Sequence, residues 1–201
     1  MNMHNVLQIF LPIYFLMYYL IFILKSYSTY RRTGINPYVF GKSESVQNHI
    51  GRYFAYISLL TLLTIVLYIT GDQTYQYSLP FSILEIPSLQ ITGLVLLLFS
   101  LIMIAIAQWS MKTSWSIGID KDSRTQLIDK GLFRISRNPV FLGTLITVFS
   151  FFMVLPNAIT LIIAAVSYVS IQIQVRFEEE YLAQTFGRDY ENYCLKVRRW
   201  I

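Results

Sequence analysis

The chain has 201 residues, is 55% hydrophobic and only 13% charged, and has a mean hydropathy of +0.50. That is more apolar surface than a soluble domain of this size needs, and it is concentrated in runs of about 18 residues or more, long enough to cross a bilayer. A net charge of +5 invites a nucleic-acid partner, but the positions of the basic residues exclude that class, as argued below.

Residues 6–24 form the first span, with Pro12 inside it as a kink and Lys25 at its end. No basic segment precedes this run and no small-residue cleavage site follows it, so it reads as a span rather than a removable signal. A polar stretch, 25–52, leads to the second span at 53–70. The connector 71–85 carries Asp72, Pro80 and Glu85 but no basic residue, and the third span follows at 89–109. The long polar loop 110–138 then runs without a spacer into a short fourth span, 140–155, of roughly 24 Å against a hydrocarbon core of roughly 30 Å. Asn138 is expected to cap this helix, with Pro139 at its first position, where the missing N–H costs nothing.

A tight turn at Pro156-Asn157 leads to the fifth span, 158–175, so the fourth and fifth spans form a hairpin, tilted or incompletely crossing. Ser167, Ser170, Gln172 and Gln174 on it are expected to face something other than lipid. From Arg176 onward the chain is amphipathic. Leu182, Phe186, Tyr190, Tyr193, Val197 and Trp200 recur at three- and four-residue steps, and Gly187 is expected to break the tail into two short helices lying against the membrane face.

The expected fold is therefore all-α: a polytopic membrane protein of about five transmembrane helices with a short helical hairpin and a C-terminal amphipathic tail. It divides into an N-terminal three-span region (1–109) and a catalytic region (110–201). The loop after the first span holds 5 Lys and Arg, the loop after the third holds 6, and the tail holds 5, the whole stock of 16. Such alternation is the positive-inside pattern, and it puts the N-terminus outside and the active site and C-terminus on the cytoplasmic side.

The polar chemistry thus collects at one end of the hairpin. Antiparallel helices joined by a two-residue turn must be neighbours, so residues 131–143 meet the acidic run Glu178-Glu179-Glu180. On a helix Glu179 and Glu180 share a face with Arg176, and Glu178 points away from it. A cation and carboxylates beside a second basic loop suit a zwitterionic ligand, although a solvated ion-pair network would look the same. The lone cysteine, Cys194, excludes an internal disulfide and a cysteine metal cluster. With no histidine near it in sequence it reads as filler in the tail, and His4 and His49 read as interfacial or loop residues without metal-ligand spacing.

Two spaced motifs carry a resemblance. Gly131-x-Phe133-x-x-x-Arg137-Asn138-Pro139-x-Phe141-x-Gly143 is followed, after one hairpin, by Glu178-Glu179-x-x-Leu182-x-x-x-Phe186-Gly187-x-x-Tyr190-x-x-Tyr193-x-x-x-Val197-x-Arg199-Trp200. From Trp115 on, the chain resembles the isoprenylcysteine carboxyl methyltransferase family, which is related to phospholipid N-methyltransferases. The resemblance implies S-adenosylmethionine as cofactor. It also implies that Gln126, Leu127 and Ile128 line the adenosine end with Phe133 packing near it, that Asn138, Pro139, Val140 and Phe141 hold the methionine portion, and that Arg137 belongs to the cofactor site. Glu178 and Glu179 follow the hairpin, with Glu179 on the ammonium group and Arg176 near the methyl acceptor, so that Arg176 and Glu179 carry the chemistry. Asn138 stands where that family has a histidine, and Phe133 and Phe141 stand where it has tyrosines. The amide can still hydrogen-bond a carboxylate but cannot titrate, and the two rings lose a hydroxyl.

Methyl transfer from a sulfonium is an in-line displacement in which the protein aligns donor and acceptor and excludes water. The acceptor expected from the resemblance is a lipophilic carboxylate entering from the bilayer, which needs no base and which one Arg can hold. An amine or hydroxyl acceptor, as in a phospholipid N-methyltransferase, would need a carboxylate to take its proton. A sterol-type reductase using NADPH shares a similar Arg-Asn-Pro turn and a Tyr-containing tail, and the doubled glutamate speaks against it. A transporter should carry ionisable groups in mid-span, and Lys, Arg, Asp and Glu are absent from the middle of all five spans.

Overall fold

The computed structural model describes residues 3–38, 46–117 and 126–201. Lys42, Lys121 and Arg124, three of the residues that set the charge asymmetry, lie outside them. Among the described residues there is no strand, and the chain folds into α1 (Met3–Thr33), α2 (Val46–Thr70), the single turn α3 (Asp72–Tyr75), α4 (Pro87–Ser110), α5 (Pro139–Val154), α6 (Ala158–Phe186) and α7 (Arg188–Lys196). α1, α2, α4 and α6 are long and apolar enough to cross a membrane, and α5 is a shorter apolar helix of 16 residues. The all-α polytopic architecture read from hydropathy is the architecture found.

Charge ends the apolar runs but not the helices. α1 continues past Lys25 to Thr33, and α6 continues past Arg176 through the acidic run to Phe186. Lys, Arg and Glu are good helix formers, so leaving the bilayer gives the backbone no reason to break. The first of the two short tail helices expected from periodicity is therefore the last three turns of α6. Gly187, at φ 50 in the left-handed region, makes the break before α7 where it was expected.

α4 and α5 pack antiparallel at very short range, and glycine at both ends permits it. A Cβ on Gly93 would lie 2.7 Å from Val154 Cγ2, and one on Gly143 would lie 2.5 Å from Ile104 Cγ1. Without a hydrophobic drive between helices in lipid, such close approach supplies the packing energy. Gly143→Val should force the pair apart at a cost of about 1–3 kcal/mol. In detergent this should lower the melting temperature by roughly 5 °C, and an unchanged melting temperature would show that the contact is slack. In the same layer Tyr14 on α1 places its hydroxyl 3.0 Å from Ser100 Oγ on α4 and 3.1 Å from Thr147 Oγ1 on α5. The three polar groups satisfy one another in an apolar interior and tie the three helices in register.

The far end of the hairpin is clamped. Asn157 caps α6 through its side chain, which accepts from Thr160 N at 2.9 Å, while Asn157 N donates to Thr160 Oγ1 at 3.2 Å. The connector between α3 and α4 grips the same turn: Phe81 N donates to the Pro156 carbonyl at 2.8 Å, and Ala158 N to the Leu79 carbonyl at 3.2 Å. With that end fixed, the opposite ends of α5 and α6 are held side by side.

Candidate functional site

The start of α5 is built differently from the start of α6. Asn138 occupies the cap position, but its side chain does not cap the helix, which corrects the expectation from sequence. Its amide Nδ2 instead donates across to Glu179 Oε1 at 3.4 Å and to the Arg199 carbonyl at 3.4 Å. A residue suited to stabilise its own helix is spent on joining α5, α6 and the C-terminus.

Glu179 is the centre of that junction. Arg137 Nη2 lies 2.9 Å from its Oε1, and Arg199 Nη2 lies 2.7 Å from its Oε2. Arg199 Nε also donates to both carboxylate oxygens, at 3.2 and 3.1 Å, the fork geometry that makes an arginine–carboxylate pair strong. These bonds raise the Arg199 guanidinium above its already high range. Backbone contacts complete the strap: Arg137 N donates to the Arg198 carbonyl at 3.0 Å and Ser136 Oγ to the Arg199 carbonyl at 3.2 Å. Trp200 packs against the buried Leu145, Ile171 and Val175. On the other side α7 anchors the turn at Gly131–Arg134, where Tyr193 donates its hydroxyl to the Phe133 carbonyl at 2.6 Å. Burial pushes the Tyr193 phenol up to about 12, so it remains a neutral donor, and burial raises the Tyr190 phenol as well.

Beside this junction lies a cavity of about 390 Å³, within the range of small-molecule sites. Phe133, Arg137, Asn138 and the first residues of α5, Pro139, Val140 and Phe141, form one wall. α6 contributes Ser167, Gln174 and Glu178. Aromatic rings of α1, including Tyr18, Tyr19 and Phe22, form a third wall, with Phe54 and Ser58 of α2 and Trp115 closing it. The walls are thus predominantly apolar, with a few polar groups converging at the Arg137 end.

The residues expected from sequence divide into three groups. Phe133, Arg137, Asn138, Pro139, Val140, Phe141 and Glu178 reach the cavity wall. Glu179 sits behind the wall, with its carboxylate engaged by Arg137, Arg199 and Asn138. Arg176 is exposed and away from the cavity, as is Gln126, whose backbone N–H donates to Ser114 Oγ at 3.3 Å. Leu127 packs instead on Tyr190, Tyr193 and Val197, and Ile128 is half-buried beside it in sequence, off the wall. The helix geometry explains Arg176 and Glu178. Positions 167, 174 and 178 fall within about 20° of one line along α6, and position 176 is about half a turn away. The face defined by Arg176 and Glu180, singled out from sequence, is the outer face, and the cavity lies on the face of Glu178.

Sequence reasoning missed three things: the walls supplied by α1 and α2, the role of Trp115, and the Arg199 clamp. It did mark Ser167 and Gln174 as turned from lipid, and both are buried. That polar stripe, extended by one turn, ends on Glu178.

Two of the cavity's polar groups are suited to a charged ligand. Arg137 Nε is buried without a hydrogen-bond partner although Nη2 of the same guanidinium pairs with Glu179, which leaves a donor for an anionic group. The Glu178 side chain lines the same cavity. Residues 87–189, from the first residue of α4 into the first turn of α7, match the family model for phospholipid methyltransferase. No curated protein matches the chain.

Proposed function

Because the chain belongs to the phospholipid methyltransferase family and is an integral-membrane methyltransferase, we propose that it transfers a methyl group from S-adenosylmethionine to a lipophilic acceptor that reaches the cavity from the bilayer. One observation carries this reading: an orphaned buried guanidinium nitrogen on Arg137 shares a predominantly apolar cavity with the Glu178 carboxylate. A zwitterionic, cationic donor with an aromatic base needs these partners. The Phe133 and Trp115 rings offer faces for the base, residues 138–141 a wall for the methionine portion, and Arg137 Nε a donor for its carboxylate. Bound there, the cofactor supplies an electrophilic methyl group. The alternation of basic residues supports a cytoplasm-facing site, where a soluble donor is available.

The protein's part is alignment, exclusion of water and handling of one proton. With Arg176 turned to solvent, Arg137 is the one guanidinium among the described residues that line the cavity, and it is already engaged by Glu179. The wall does offer a carboxylate, so we favour an acceptor that gives up a proton to Glu178: an amine, as on a phospholipid head group, or a hydroxyl. The isoprenylcysteine-type carboxylate stays as the second reading because Arg137 Nε could serve it in place of the cofactor. Incubation with labelled S-adenosylmethionine and a lipid extract, followed by identification of the labelled product, decides between them. S-adenosylhomocysteine should raise the melting temperature of the purified protein and NADPH should not; the opposite result would revive the reductase reading.

A further inference from the structure

The polar side chains that α2, α5 and α6 place on the cavity wall behave differently. Those on α2 and α5 are already satisfied within their own helices: Ser58 donates to the Phe54 carbonyl at 2.9 Å, Thr61 to Ile57 at 2.8 Å, Thr144 to Val140 at 3.0 Å and Thr147 to Gly143 at 3.1 Å. Those on α6 are not. Gln174 Oε1 and Ser167 Oγ are buried without a hydrogen-bond partner, in residues only 2% and 1% exposed. Both residues line the cavity. A buried polar atom with no partner costs about 1–3 kcal/mol, and in a membrane span no bulk water is at hand to relieve it. Leucine at 174 would avoid that cost and suit lipid better.

The spacing says what would relieve it. Gln174 lies one turn, about 6 Å, inward of Glu178 along α6, and Ser167 lies about 10 Å further in. A ligand with its reacting group at Glu178 and its hydrocarbon running inward would pass Gln174 within its first few bonds. The primary amide of Gln174 can present either its donor or its acceptor by turning about its last side-chain torsion. We infer that Gln174, with Ser167 behind it, forms a second polar subsite that holds an amide or hydroxyl group carried by the acceptor about one helical turn inward of its reacting group. This subsite rests on the reading of the cavity as the acceptor site. It selects acceptors whose hydrocarbon is joined through a hydrogen-bonding linkage over those that are plain alkyl chains.

The test is a binding cycle in lipid nanodiscs. Two tritiated primary amines with the same number of chain atoms, N-(2-aminoethyl)hexadecanamide and nonadecylamine, differ only in one internal amide. Their Kd ratio is measured for the wild-type protein and for Gln174→Leu, and comparing the two ratios cancels the difference in partitioning into the bilayer. The amide probe should lose about tenfold in relative affinity on the substitution, the worth of one buried hydrogen bond. A change under about threefold overturns the subsite and leaves Gln174 satisfied by a trapped water. Ser167→Ala, a smaller change, provides the same comparison should Gln174→Leu fail to fold. S-adenosylhomocysteine binding is measured on the same samples. Probe discrimination without it overturns the methyltransferase mechanism and not the subsite, whereas its binding without discrimination overturns the subsite alone.

Discussion

Glu178→Gln should leave a folded protein that still binds S-adenosylhomocysteine, though more weakly for want of the carboxylate, and at saturating donor it should transfer methyl groups about 10²- to 10⁴-fold more slowly, the usual worth of one well-placed base. The reason is the composition of the cavity wall. Among the described residues that line it, Glu178 and Arg137 are the ionisable groups apart from tyrosines, and Arg137 already holds Glu179 at 2.9 Å. An amine or hydroxyl attacking the donor methyl must shed a proton into this cavity, and Glu178 is the carboxylate that faces it. The substitution is nearly isosteric, so packing against α5 is kept and the loss reports chemistry. The result also separates the acceptor classes. A carboxylate acceptor brings no proton, and beside Glu178 it suffers like-charge repulsion, so removing the charge would leave the rate unchanged or raise it. Single-turnover rates of the two proteins with the acceptor identified from the lipid extract give the answer.

That Glu178 rather than Glu179 lines the cavity shows what a sequence of this kind discloses. Hydropathy settles the spans because burial in lipid dominates every other term over 18 residues, and the glycine at 187 and the turn at 156–157 are readable because their backbone demands are local. The facing of a helix is not local. Arg176 served as the reference for the acidic run, and helical spacing from it favoured Glu179 and Glu180. The better reference was already visible in Ser167 and Gln174, polar residues without business in lipid, whose line along α6 continues to Glu178.

Other features were beyond reach for different reasons. That α1 and α2 would close the cavity depends on long-range packing between helices with weak amphipathic patterning, so nothing in their own sequences marks Tyr18 or Phe54 as wall residues. Asn138 followed by Pro139 is a sound helix start, and propensity alone predicts a cap. The competing partners, a carboxylate 41 residues away and a carbonyl 61 residues away, won because the junction is buried and the amide is needed there. The apolar spans end at Lys25 and Arg176 but the helices run on to Thr33 and Phe186, since a charge stops a span and not a helix.

The Glu179 junction carries the second large effect. Glu179→Ala removes the one carboxylate between two guanidinium groups whose side chains are 14% and 36% exposed, leaving two cations facing each other. Breaking a largely buried pair by deleting one partner costs about 3–5 kcal/mol. The cost here falls on the strap, because Arg199 and the carbonyls of Arg198 and Arg199 are what bind the C-terminus to residues 136–138. The strap should detach while the helices stay packed: hydrogen exchange at 197–201 and at the Arg137 N–H rises by about 10²-fold or more, as a local opening made about 3–5 kcal/mol easier requires. Exchange at the α4–α5 interface should stay as it is. With Arg137 no longer held, the donor affinity and methyl transfer should fall together. Arg199→Ala is the control with a different expected result. Arg137 still neutralises Glu179, and the backbone bonds of Arg198 and Arg199 remain, so the exchange rise should be about tenfold or less. Equal effects of the two substitutions would mean that Arg199, not Glu179, organises the junction.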